Sequence, residues 1–215
     1  MRLVMPRLYV ILDAGMFSEP VGESAKKLIE AGVRLLQYRD KQASARELLA
    51  NAKSIAEAAR ASACAFFVND RPDVAYLAGA DGVHVGQEDL PVEQARHVLG
   101  AERWVGVSTH NLEQVQRAAA SSADYIAVGP IFPTGSKANP DPVVGVDFVR
   151  RARALTAKPI VAIGGITLDR AADVLAAGAD SVAVISDILQ AKDPAARARE
   201  YIQRLEAAQP AARQD

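Results

Sequence analysis

Gly79-Ala80-Asp81-Gly82-Val83-His84 decides the fold, because the chain repeats it. Ser122-Ala123-Asp124-Tyr125-Ile126-Ala127 and Gly178-Ala179-Asp180-Ser181-Val182-Ala183 follow the same pattern, and Ala31-Gly32-Val33-Arg34-Leu35-Leu36 is a looser copy. Each ends a helical stretch with small or turn-forming residues and opens a β-branched, apolar run. Aligned on positions 33, 80, 123 and 179, the copies lie about two βα units apart. They lead into the second, fourth, sixth and eighth strand candidates. The Gly and Asp of the repeat read as turn chemistry rather than catalysis.

Outward from these segments, short apolar runs alternate with Ala-rich helical stretches. The strands are expected at Leu8–Leu12, Arg34–Tyr38, Ala65–Val68, Gly82–Val85, Trp104–Val107, Tyr125–Val128, Ile160–Ile163 and Ser181–Ile185. Helices are expected near Val21–Ala31, Ala43–Ala61, Pro72–Ala78, Pro91–Leu99, Asn111–Ala120, Val146–Leu155, Leu168–Ala176 and Pro194–Ala207. Ser44 and Glu47 have capping-box spacing, and Thr167 is placed to cap the next-to-last helix. Gly32, Gly79 and Gly178 stand where helices end. Eight strands buried on both faces, each followed by a helix, require a parallel sheet. The expected architecture is therefore α/β, a single (β/α)8 TIM barrel over residues 1–215, with 207–215 a frayed tail. An open, doubly wound sheet is the alternative.

Composition fits this and excludes much else. Of the 215 residues, 50% are hydrophobic and 24% charged, as in ordinary soluble domains. The net charge of −1 gives no electrostatic case for nucleic acid or an anionic membrane. No run approaches the roughly 20 apolar residues that span a bilayer. Met1–Pro6 lacks the apolar core of a signal peptide, so cytoplasmic residence is expected. The single cysteine, Cys64, has no thiol partner and reads as a buried strand residue. Nothing in the sequence fixes oligomeric state, and a homo-oligomer stays open.

In a parallel barrel, chemistry gathers where strands end. Those positions here hold Gln37-Tyr38-Arg39-Asp40-Lys41, Asn69-Asp70-Arg71, Gly86-Gln87-Glu88-Asp89, Ser108-Thr109-His110, the stretch Gly129 to Lys137, Gly164-Gly165 and Ser186. Arg39, Lys41 and Lys137 are three cations at one mouth, suited to a polyanion such as pyrophosphate. Asp70 and Asp89, from adjacent strands, suit Mg²⁺ held by few protein oxygens and completed by phosphate and water. Gly164-Gly165, with Ile185-Ser186, matches the common barrel phosphate site. Blander readings stand beside these. Asp70 and Arg71 form a surface ion pair, Gly164-Gly165 is a tight turn, His84 is a core histidine, and His110 begins a helix. The long loop Gly129–Gly145 reads as functional, in the manner of a lid.

As a set, Gln37–Lys41, Asn69–Ala75, Ala80–Leu90, Gly106–Asn111, Gly129–Lys137, Ile163–Ile166 and Val184–Ser186 resemble the thiamine-phosphate synthase family over nearly the whole chain. The resemblance implies that an aminopyrimidine-methyl pyrophosphate condenses with a thiazole phosphate, releasing pyrophosphate. It implies that Gln37, Arg39, Lys41, Asn69, Ser108 and Lys137 hold the pyrimidine pyrophosphate, with Arg39, Lys41, Ser108 and Lys137 acting in catalysis. Asp70 and Asp89 would ligate Mg²⁺. Thr134 and Ser136 would contact the thiazole, and Gly165, Ile185 and Ser186 its phosphate. Many members carry Thr at the place of Ser136; the hydroxyl is kept. A sister family, a thiazole tautomerase, has His at the place of Pro130 and lacks the metal carboxylates. A non-catalytic phosphate-binding barrel is a third possibility. Retention of the cations and both carboxylates argues against these two.

Overall fold

A computed structural model describes residues 5–17, 19–135 and 141–208. Eight parallel strands close in sequence order into a barrel: β1 (Leu8–Asp13), β2 (Leu35–Arg39), β3 (Ala65–Asn69), β4 (Gly82–Val85), β5 (Trp104–Thr109), β6 (Tyr125–Val128), β7 (Ile160–Ile163) and β8 (Ser181–Val184). The open-sheet alternative is thereby excluded, since β1 pairs with both β2 and β8. Seven helices follow the first seven strands: α1 (Val21–Glu30), α2 (Ala45–Arg60), α3 (Pro72–Ala78), α4 (Val92–Leu99), α5 (Leu112–Ala120), α6 (Val146–Arg153) and α7 (Leu168–Ala176). After β8 come a short helix, α8 (Ser186–Leu189), and the closing α9 (Pro194–Ala207). Of the expected frayed tail, Ala207 belongs to α9, and 209–215 lie outside the described residues.

Two cores result from the strands' period-2 alternation. One lies between helices and sheet, where α2, for example, buries Leu48, Ala52, Ile55, Ala56 and Ala59 along one stripe. The other fills the barrel with Tyr9, Ile11, Leu35, Phe67, Tyr125, Ala127, Val161 and Ala183. Cys64 is buried, and burial pushes its thiol up to about 12, so it is an inert apolar residue.

The sequence repeat has a structural meaning at the N-terminal ends of the strands. Asp81 accepts a hydrogen bond from the Phe66 N–H (2.8 Å), Asp124 from Val105 (2.7 Å) and Asp180 from Ile160 (2.8 Å). In return, the backbone N–H of each Asp donates to the carbonyl of that same residue, at 2.8, 2.7 and 2.8 Å. Each Asp thus clasps the start of the preceding strand and joins strands as pairs 3–4, 5–6 and 7–8. Arg96 and Arg153 pair with Asp124 and Asp180. In the loose first copy Arg34 occupies the Asp position and instead donates to the carbonyls of Ile29 and Val33.

Several expected boundaries shift for local reasons. The capping box of Ser44 and Glu47 is present, so α2 starts at Ala45 rather than Ala43. Thr167 precedes α7 as expected, but its side chain makes no capping bond. Strand β8 stops at Val184 because Ile185 takes φ −119°, ψ −88° and opens α8. At the C-terminal ends the opposite happens: β1, β2, β3 and β5 run one or two residues beyond expectation. The register Asp13↔Arg39 and Thr109↔Val128 shows these extra residues held in the ladder.

Candidate active site

That extension places the site residues on rigid backbone. Arg39, Asn69 and Ser108 lie within strands rather than in the loops after them. Together with Gln37, Thr134, Gly165 and Ile185 they line one cavity at the C-terminal mouth of the barrel. A second, more open pocket adjoins it and is lined by Gly135, Ser186, Arg170 and Arg197. Thr134, Gly165 and Ile166 line both pockets. Ser136 and Lys137 lie outside the described residues.

The cations at the mouth are held by carboxylates. Arg39 pairs with Asp13, and Lys41 with Asp70. Asp13 ends β1 beside Arg39 and is a functional candidate that is not among the residues singled out from the sequence. The rule that found the other residues, looking at each strand's end, applies to it equally. The expected Asp70–Arg71 ion pair is not formed, because Arg71 turns outward and grips Asp73 through two hydrogen bonds of 2.8 and 2.6 Å.

Asp70 has a φ of +60°, and the Arg71 N–H donates to the Asn69 carbonyl at 2.8 Å. This is a γ-turn of the rare positive-φ kind, which strains a non-glycine residue. The Asp70 N–H is fixed on the His84 carbonyl at 2.7 Å. Asp89 comes from the β4–α4 loop and accepts from the Gly86 N–H at 2.7 Å. Burial raises the Asp89 carboxyl above its ordinary range, and the neighbouring Asp70 raises it further. Two crowded carboxylates with hard oxygens, one already disfavoured as an anion, fit a divalent cation. Among the described residues no three His, Cys, Asp or Glu side chains form a protein-only metal cage. The remaining ligands would have to come from substrate and water.

Gly165 takes a φ of +61°, and a Cβ there would overlap the Pro133 carbonyl and press on Phe132. This glycine admits the loop that follows β6, so the Gly164-Gly165 turn serves packing as well as the pocket. Arg170 lies over the Phe132 ring, 4.7 Å from its centre, and borders the second pocket. Asp187 and Arg197, also bordering that pocket, are bound to each other at 2.9 Å.

His84 is buried and hydrogen-bonded at both ring nitrogens, to Tyr125 (2.9 Å) and to Ser108 (2.8 Å). The core reading of His84 is therefore right about its burial, yet the residue also touches the cavity's wall. His110 does not begin a helix; Asn111 caps α5, while His110 lines the cavity and bonds the Gly129 carbonyl at 2.6 Å.

The chain as a whole is similar to known proteins. A family profile described as thiamine monophosphate synthase matches residues 8–188. The chain is 53% identical over 206 residues to the thiamine-phosphate synthase of Koribacter versatilis, covering 94% of this chain and 96% of that one. It is 44% identical over 198 residues to that of Chloroflexus aurantiacus, covering 90% of each. Among solved structures, a thiamine phosphate pyrophosphorylase from Pyrococcus furiosus superposes with a TM-score of 0.86 at 36% identity, covering 94% of this chain and 96% of that one.

Proposed function

The chain belongs to the thiamine monophosphate synthase family, and from that premise we propose that the two joined pockets at the barrel mouth are where it acts. It is a thiamine-phosphate synthase, a transferase that releases pyrophosphate. We assign its substrates as an aminopyrimidine-methyl pyrophosphate and a thiazole phosphate, met in the cytoplasm by a single domain spanning 1–215. The observation that carries this assignment is the sharing of Thr134 and Gly165 between the pockets. Two substrates in adjoining pockets have their reacting ends at the shared wall, which is the arrangement a condensation needs.

Gln37, Asn69 and Ser108 hold the pyrimidine in the deeper cavity. Arg39 and Lys41 face its pyrophosphate, and Lys137, outside the described residues, is assigned to the same group from the sequence. Thr134 contacts the thiazole, Ser136 is assigned to it from the sequence, and the backbone at Gly165, Ile185 and Ser186 receives the thiazole phosphate. Asp13 keeps the Arg39 guanidinium in place before substrate arrives. The methylene C–O bond breaks, and its electron pair leaves with pyrophosphate. The cations neutralise that growing charge, and the electron-rich aminopyrimidine stabilises the carbon left behind. The thiazole nitrogen then supplies the new bond. No protein nucleophile is needed, so catalysis rests on positioning and electrostatics. Asp70 and Asp89 would hold Mg²⁺, which when bound supplies Lewis-acid charge to the pyrophosphate oxygens. Retention of both carboxylates, and of proline at 130, speaks against a tautomerase.

The test mixes both substrates with the protein and Mg²⁺. Thiamine phosphate and pyrophosphate should appear in equal amounts, and EDTA should stop the reaction until Mg²⁺ is restored. Failure to release pyrophosphate overturns the assignment; full turnover without metal overturns the role given to Asp70 and Asp89.

A further inference from the structure

Two tyrosines in the middle of the barrel have no place in the chemistry above. Tyr9 and Tyr125 are fully buried, and their hydroxyls meet at 3.1 Å. Gln37 Nε2 lies 2.8 Å from the Tyr9 hydroxyl. On the far side, the Tyr125 hydroxyl lies 2.9 Å from His84 Nδ1, and His84 Nε2 lies 2.8 Å from Ser108 Oγ. The result is one unbroken chain, Gln37–Tyr9–Tyr125–His84–Ser108, crossing the barrel, with Gln37, Tyr9, His84 and Ser108 also lining the cavity. Both of its ends are residues assigned to the pyrimidine. We propose that Tyr9 and Tyr125 are positioning residues, which set the tautomer of His84 and so fix the Ser108 hydroxyl as a donor toward the substrate. The inference rests on the pyrimidine site proposed above.

The polarity follows from donor and acceptor counts. An amide nitrogen only donates, so the Tyr9 oxygen accepts from Gln37 and sends its single proton to Tyr125. Tyr125 in turn sends its proton to His84 Nδ1, which must be bare. The proton of the neutral imidazole is then on Nε2 and points at Ser108 Oγ. Ser108 accepts it and keeps its own proton for the cavity. At the other end Gln37 Oε1 is left as an acceptor. An aminopyrimidine has both complementary groups, an exocyclic N–H donor and ring-nitrogen acceptors. Burial holds both tyrosines well above their ordinary ionisation range, so each hydroxyl keeps the single proton this counting needs.

The sequence makes room for this chain. A Cβ at Gly106, on the neighbouring strand, would overlap the Tyr125 ring and its hydroxyl. The Tyr125 ring also packs edge-on to Phe67 at 5.7 Å and lies flat against the His84 ring at 5.6 Å. A tyrosine serving only as core filling would need the ring but not the oxygen placed between the Tyr9 hydroxyl and His84 Nδ1.

The decisive measurement is the ¹⁵N spectrum of histidine-labelled wild-type protein at mildly alkaline pH. Of the three histidines, His84 should show a protonated Nε2 and a bare Nδ1. A protonated Nδ1 overturns the proposal without any variant having to fold. Tyr125→Phe should abolish the tautomer preference and weaken binding of the pyrimidine pyrophosphate about tenfold, the worth of roughly one hydrogen bond. Affinity for the thiazole phosphate should not change. In a Ser108→Ala background, Tyr125→Phe should have no further effect on pyrimidine binding. A loss that persists there, or unchanged binding in a folded Tyr125→Phe protein, overturns the positioning role. Should wild-type protein release no pyrophosphate, the assignment of function fails instead, while the tautomer remains readable.

Discussion

Asp89 carries an electrostatic cost in the folded protein. Its carboxylate is disfavoured by burial and by Asp70 beside it. The sign of the resulting stability effect is definite. A carboxyl whose pKa is higher in the folded protein than in the unfolded chain lowers stability as pH rises from its ordinary range through the raised value. Asp89→Asn removes that cost and keeps an oxygen for the Gly86 N–H. In EDTA at neutral pH the variant should therefore melt no lower than wild type, and the difference should shrink on acidification below the ordinary Asp range. Turnover should nevertheless fall by about a hundredfold or more, as expected when a metal or transition-state charge partner is lost. Thermal melts across pH, alongside pyrophosphate release, check both halves. A lower melting point in EDTA would mean that Asp89 is structural. The identities of Asp70, Asp89, Arg39 and Ser108 as site candidates are legible in the sequence, because each lies at the C-terminal end of a strand or in the loop just after it. Tyr9 and Tyr125 are not, because a tyrosine inside an apolar strand has the same period-2 signature whether or not its hydroxyl is used.

At the scale of elements, alternation of apolar runs and Ala-rich stretches is enough to give all eight strands and the eight longer helices in order. It misses α8 and the 3-10 turn at Ala14–Met16, which are too short to carry a period. Strand ends are also misjudged, since whether Arg39 or Thr109 continues a strand depends on a neighbour offering a ladder partner. The repeat carries more than turn propensity. Each Asp-to-backbone clasp ties a strand pair, so its removal should be felt in stability and not in chemistry. Asp124→Ala leaves the Val105 N–H without its acceptor and Arg96 without its carboxylate. We expect a loss of about 2 kcal/mol in unfolding free energy. The kcat/KM of the folded protein should be unchanged, because Asp124 lies at the opposite end of the strands from the mouth. Denaturant titration and steady-state kinetics on the same preparation separate the two quantities.

For the whole molecule, the barrel divides its labour between its two ends. The C-terminal mouth gathers strained and crowded groups such as Asp70 and Asp89, while the N-terminal end is closed by bonds that are each satisfied in both directions. The clasps also give the barrel seams. They fall within strand pairs 3–4, 5–6 and 7–8, and none of them links β4 to β5. A chain severed at 100–102 keeps each Asp-to-backbone clasp within a single fragment, though it parts Arg96 from Asp124, whereas a cut at 121–122 parts Asp124 from Val105. Co-expressed halves from the first cut should reassemble into active enzyme, and halves from the second should do so poorly. Equal recovery from both would show that the clasps are not what delimits the units. If only the first cut is tolerated, the three aspartates, which the sequence displays only as a recurring turn, mark where a protein of this kind can be taken apart and put together again.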